Sequence, residues 1–183
     1  LDLDVAGPQI ILPTDALNIL SKLDPNRLAL ADGHVAIRAE EGILATRTLD
    51  EQYPDYESVI PDNGDAMEVE REALLGAVRR AGIYTSSMTS QIRLRINQDQ
   101  LTVEGEDVER SSEATETVPC TYDGGTLEIG FNADYLEEVL TATSAEQVRF
   151  ELGGPNDAAV VRPARSDEGL TLLLMPVMLN EYA

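Results

Sequence analysis

The chain has 183 residues, 43% of them hydrophobic, and sets 34 Asp and Glu against 13 Lys and Arg for a formal net charge of −21. No apolar run nears the ~20 residues of a membrane-spanning helix, and the opening LDLDVAGPQI lacks the basic start of a signal peptide, so a cytoplasmic setting is expected. Cys120 is the single cysteine, which excludes an internal disulfide and a cysteine-built zinc cage.

The first predicted elements are a short strand and a helix in IILPTDALNIL (10–20), with Thr14 as the expected N-cap and Leu17, Leu20 and Leu23 on one face. The period then changes from helical to alternating. Leu28 and Leu30 alternate with polar or small neighbours, Asp32-Gly33 reads as a tight hairpin turn, and Val35 and Ile37 resume on the return strand. Glu41-Gly42 turns the chain again. A punctuated stretch follows, EQYPDYESVIPDNGDA, whose Pro54, Pro61 and Asn63-Gly64 mark a linker between domains.

MEVEREALLGAV (67–78) repeats the opening pattern, with Glu70 the nearest capping candidate and Leu74, Leu75, Val78 and Ala81 at helical spacing. Gly82 stands where a left-handed residue would stop this helix. In IRLRINQDQLTVEGE, Ile92, Leu94 and Ile96 face one way and Arg93 and Arg95 the other, and Leu101 with Val103 forms the return strand. LEIGFNADYLEEVL (127–140) starts the pattern a third time, with Asn132 as N-cap and Leu136, Val139 and Leu140 on the apolar face. VRFELGGPNDAAVV turns around Gly153 to Asp157, and Leu170, Leu172 and Leu174 alternate as a last strand that Pro176 ends.

Three units of roughly sixty residues therefore share the order strand, helix, three strands. This β-α-β-β-β repeat predicts an α+β fold with helices on one face of antiparallel sheets. Two such units complete one domain. The expected division is residues 1–62, half a domain plus linker, and residues 63–183, a whole one.

Chemistry is sparse. His34 lies in a hairpin, far in sequence from Cys120, and no third group is set to orient it as a catalytic base. No phosphate-binding glycine loop, Walker lysine or HExxH pattern occurs. Asp62, Asn63 and Asp65 lack the spacing of a calcium loop, and Glu137-Glu138 sits on a solvent-facing helix position. The expectation is a protein without catalysis, metal or cofactor. Its acidity reads as a solvated surface, or more sharply as adaptation to high salt, and taken alone argues against nucleic acid as partner.

Three stretches bear on that last point: YPDYESVIP (53–61), LEIGFNADYLEEVL (127–140) and LMPVML (174–179). Together and in this order they resemble the bacterial DNA polymerase III β subunit family, the sliding clamps. The likeness covers nearly the whole chain, from the second half of a clamp's middle domain through its third domain. It implies a processivity factor in which two three-domain subunits close head to tail around duplex DNA, helices inside and sheets outside. A ring that slides must bind DNA weakly, so an acidic body with a few inward cations fits the role. Lys22, Arg71, Arg79 and Arg80 would face DNA; the plainer reading is solvated helix charge.

The resemblance also implies an apolar groove for the short linear motifs of polymerase, clamp loader and repair proteins. Carried over by position, it would include Pro54, Val59, Asn132, Tyr135, Ala159, Leu173, Leu174, Met175, Pro176, Val177 and Met178. Methionine suits such a groove because its flexible thioether repacks around different partners. Ser58 stands where many relatives have arginine. Asn-Glu-Tyr-Ala follows Leu179 where relatives commonly stop, so Tyr182 is expected near the groove. Ile83, Tyr84, Glu113 and Glu116 would form the ring contact with a first domain of the other subunit. No such domain is present in the sequence, so the chain by itself is not expected to close a homodimer ring.

Two other readings stand beside this one. One is an acidic protein-interaction domain with clamp-like architecture and no DNA role; the other is an enzyme whose carboxylates converge only in the fold.

Overall fold

The computed structural model describes residues 10–165 and 169–179. The chain divides into two compact units, Leu1–Asp55 and Tyr56–Ala183, a boundary that falls ahead of the expected 62/63. Asn63 belongs firmly to the second unit, because its side-chain amide donates to the carbonyls of Glu151 at 2.9 Å and Ala158 at 2.8 Å.

The first unit holds α1 (Thr14–Leu20), β1 (Pro25–Ala31), β2 (His34–Ala39) and β3 (Gly42–Arg47), the strands antiparallel in the order β1-β2-β3. The strand expected before α1 reduces, among the described residues, to a single bridge between Ile11 and Leu49. Thr14 is not the cap. It is already the first helical residue, and the Pro13 carbonyl accepts from the backbone N–H groups of Ala16 and Leu17 with no side-chain cap. Positive φ at Asp32 (30°) and Gly33 (73°) makes the tight hairpin turn that this pair of residues predicts. The helix face is less covered than its periodicity implies: Leu17 remains exposed, and Leu20 and Leu23 are only half-buried.

In the second unit a 3-10 turn (Glu57–Val59) precedes two copies of the repeat. The first is β4 (Asp65–Glu70), α2 (Arg71–Gly82), β5 (Gln91–Ile96), β6 (Gln100–Asp107) and β7 (Ser112–Tyr122). The second is β8 (Leu127–Asn132), α3 (Ala133–Thr141), β9 (Gln147–Leu152), β10 (Ala159–Ala164) and β11 (Leu172–Leu174). They merge into one antiparallel eight-stranded sheet ordered β11-β10-β9-β4-β7-β6-β5-β8.

The two repeats exchange strands reciprocally. β4 pairs with β9 from Asp65↔Leu152 to Glu70↔Gln147, and β8 pairs with β5 from Leu127↔Ile96 to Asn132↔Gln91. Each helix starts the same way. Glu70 accepts from the N–H groups of Glu72 and Ala73, and Asn132 from those of Asp134 at 2.9 Å and Tyr135 at 3.2 Å, satisfying donors that a helix start leaves free. Strand alternation and helix periodicity then turn one face of each element inward, so Leu74, Val78, Leu136 and Leu140 meet Ile92, Leu94, Phe131, Val148 and Phe150 in a single core.

Gly82 does not act as a left-handed stop. Gly82 itself has no positive φ, Ile83 follows it in right-handed geometry (φ −63°), and a β-carbon at position 82 would meet that of Ala133 in ordinary contact at 3.4 Å.

Candidate functional site

The alternation that buries Leu174 leaves Leu173 on the other face of β11. β11 pairs with β10 through Ala159↔Leu174, and Ala159 is 0% exposed. Ala159 thus supports the segment from behind and offers no surface of its own. Regular pairing stops before Pro176, which has no N–H to donate. The chain is then caught once more, by the bridge Gly130↔Val177, in which the Val177 N–H donates to the Gly130 carbonyl at 2.9 Å.

Held on both sides in this way, Met175 is 63% exposed and Met178 79%. The bridge lies on β8 just before Asn132 and Tyr135. Tyr135 is exposed, and the Asn132 amide donates to the Thr89 carbonyl at 3.2 Å while its oxygen caps α3. Val59 is exposed at the end of the 3-10 turn of the same unit, whereas Pro54 belongs to the first unit. Tyr182, expected near the groove, lies outside the described residues. The second unit therefore gathers Asn132, Tyr135 and residues 173–178 where the segment leaving β11, at one edge of the sheet, reaches β8 at the other.

The cations behave differently from one another. Arg71 is largely buried; its Nε donates to the Ala145 carbonyl at 2.8 Å, its Nη1 to the Leu140 carbonyl at 3.3 Å, and its remaining nitrogen pairs with Glu72. It is thus committed to the far end of α3. Arg79 pairs with Glu137 at 2.8 Å, and Lys22 is exposed in the first unit. Arg80 donates through Nε and Nη2 to both carboxylate oxygens of Glu116 at 2.9 Å. Those bonds hold the Glu116 carboxyl below its ordinary value and raise the Arg80 guanidinium. Two residues expected on different faces, one toward DNA and one toward a ring contact, are therefore partners.

The other residues expected at a ring contact fall at or beside a strand edge. β7 pairs with β6 over Ser112–Pro119 but with β4 only over Cys120–Tyr122, so among the described residues its first half carries Glu113 and Glu116 with no strand on the outer side. Ile83 and Tyr84 are exposed at the end of α2, which packs on β7. Such an edge presents free N–H and carbonyl groups that another strand can match.

His34 bonds through Nδ1 to the Asp32 carbonyl at 3.0 Å, a local hairpin contact. No group of three or more His, Cys, Asp or Glu suited to a metal occurs among the described residues. No helix among them is long and apolar enough to cross a membrane. Sequence reasoning missed Gly130 and Glu137; a glycine inside an apolar alternation signals close backbone approach, whereas the pairing of Glu137 with Arg79 has no local signature.

Residues 57–178 match the family described as DNA polymerase III beta subunit, C-terminal domain. The beta sliding clamp of Pseudomonas putida is 33% identical over 177 residues, covering 93% of this chain and 48% of that protein. A solved sliding clamp of Pseudomonas aeruginosa superimposes with a TM-score of 0.83 at 31% identity, covering 94% of this chain and 49% of that one. Another from the same organism, bound to griselimycin, gives 0.76 at 33% identity over 83% of this chain and 41% of its own. The chain spans about half the length of the curated relatives it matches.

Proposed function

The chain belongs to the DNA polymerase III β subunit family, and from that premise we propose that it serves as part of a sliding clamp, a non-catalytic processivity factor that encircles duplex DNA in the cytoplasm. Polymerase, clamp loader and repair proteins then dock on the apolar ridge of residues 173–178 beside Asn132 and Tyr135. The observation that carries this reading is the exposure of Met175 and Met178 on a segment tied down on both sides, by β10 and by Gly130. Exposed methionine on an anchored backbone suits apolar ligands of varied shape.

The β7 edge with Ile83, Tyr84, Glu113 and Glu116 supplies the contact through which subunits join, and Arg79, Arg80 and Lys22 supply the weak attraction to DNA. Arg71 contributes through α3 instead. Carboxylate partners on Arg79 and Arg80 favour sliding over tight binding, because each phosphate contact must displace an internal one.

Griselimycin is the probe. Calorimetric titration should show binding to the intact chain, and the Met175→Ala/Met178→Ala double variant should bind at least about tenfold more weakly, as loss of central apolar anchors does. No binding to the unaltered chain, or equal binding by the double variant, overturns the groove assignment and leaves an acidic interaction domain without clamp activity as the better reading.

A further inference from the structure

We propose that Gly130 is a positioning residue for the groove: its missing side chain lets residues 177–179 pass close against β8 and so fixes where Met175 and Met178 stand. This rests on the peptide-groove reading above and adds the strand residue on which that groove depends.

The internal repeat provides the control. Aligning the helix caps Glu70 and Asn132 sets Glu68 opposite Gly130 in the two copies. Glu68 carries a full side chain there, pairs across the sheet with Arg149 at 3.3 Å and with Arg165 at 3.5 Å, and still bridges to Thr121 on β7. The fold therefore tolerates a side chain at this position. Backbone conformation does not call for glycine at 130 either, because the positive-φ glycines among the described residues are Gly33 and Gly42.

What differs is the crossing chain. A β-carbon on Gly130 would lie 2.6 Å from the Val177 carbonyl oxygen and 2.8 Å from Leu179 Cδ2. Leu179 can rotate away. The Val177 carbonyl is backbone, and its residue is the one whose N–H bonds to Gly130, so an added methyl must lift the bridge itself. The tether beyond it is weaker: Gln91 Nε2 donates to the Met178 carbonyl at 3.5 Å. Leu179 then lies over a cavity of about 260 Å³ that Gln91 and Arg93 also line. Arg93 stands opposite Gly130 and, lacking a carboxylate there, reaches among the described residues Glu128 alone, at 3.9 Å. Replacing the acid by glycine thus gives up a cross-strand ion pair and gains a passage for the terminal segment.

The test compares Gly130→Ala, Glu68→Ala and the unaltered chain in griselimycin titration and in hydrogen exchange at the Val177 amide, with burial of Cys120 as the check on folding. Gly130→Ala should weaken griselimycin by about tenfold or more and speed Val177 exchange, while Cys120 stays protected; Glu68→Ala should change neither readout. Leu179→Ala covers the case in which Gly130→Ala does not fold, since it removes the overlying side chain without adding an atom. It should also speed Val177 exchange and weaken binding, by roughly threefold. Unchanged affinity and unchanged Val177 exchange in a folded variant overturn the inference. Failure of the unaltered chain to bind griselimycin refutes instead the groove reading on which it stands.

Discussion

Replacing Arg71 by alanine separates an architectural arginine from those proposed to face DNA. Its guanidinium donates to the Ala145 and Leu140 carbonyls, at 2.8 and 3.3 Å, and its side chain is only 15% exposed. Hydrogen bonds to a charged donor contribute about 1.5–3 kcal/mol each when desolvated. The 3.3 Å bond is long and the pairing with Glu72 is largely solvated, so the sum expected is about 2–3 kcal/mol. Arg79 and Arg80 are 53% and 58% exposed, and their alanine variants should each leave stability nearly unchanged.

Cys120 makes the assay specific to the second unit. It is the single cysteine, it is buried in β7, and burial pushes its thiol up, so it stays protonated and shielded until that unit opens. Pulsed thiol labelling across a urea series therefore reads the unfolding midpoint of this unit. With a slope of about 1–3 kcal/mol per molar urea, Arg71→Ala should lower the midpoint by roughly 1 M. Arg71→Lys should recover only part of the loss, because one ammonium cannot reproduce the planar fork that reaches two carbonyls. A midpoint for Arg71→Ala equal to that of Arg79→Ala would refute the architectural role and return Arg71 to the DNA-facing set.

Two further outcomes follow from the charged edge and the helix–sheet contact. The Arg80 bonds keep Glu116 ionised below the ordinary carboxylate range, so whatever the pair contributes is present above the unfolded carboxyl pKa and is lost as pH falls through the lowered folded value. NMR titration of the Glu116 carboxyl should accordingly give a midpoint that rises in Arg80→Ala; an unmoved midpoint would show that the two are not paired. Gly105→Ala should destabilise the second unit by at least about 2 kcal/mol in the thiol-labelling assay, because the new methyl would lie 2.2 Å from the Ala81 carbonyl oxygen at the end of α2. Stability within about 0.5 kcal/mol of the unaltered chain would mean that the helix does not approach the strand so closely.

Strand alternation and helix periodicity are local properties, and they made the repeat readable: Ile92, Leu94 and Ile96 are all buried as their spacing requires, and Asn132 caps α3 as its side chain allows. The terminal LLLMPVML was likewise legible as a strand that proline ends. Capping at Thr14 was not, since a neighbouring proline carbonyl did the same work. Nor did the sequence distinguish three arginines on one helix. Arg71 meets the carbonyls of Leu140 and Ala145, and Arg80 meets Glu116, only because the sheet brings remote segments together.

Composition and period, which depend on neighbouring residues, thus determined the class of fold, the duplication and the apolar ending. Contacts distant in sequence decided which charges are free, which strand edge is bare and why position 130 is glycine. Side-chain periodicity records which face an element buries, but not which backbone or charge it will meet there.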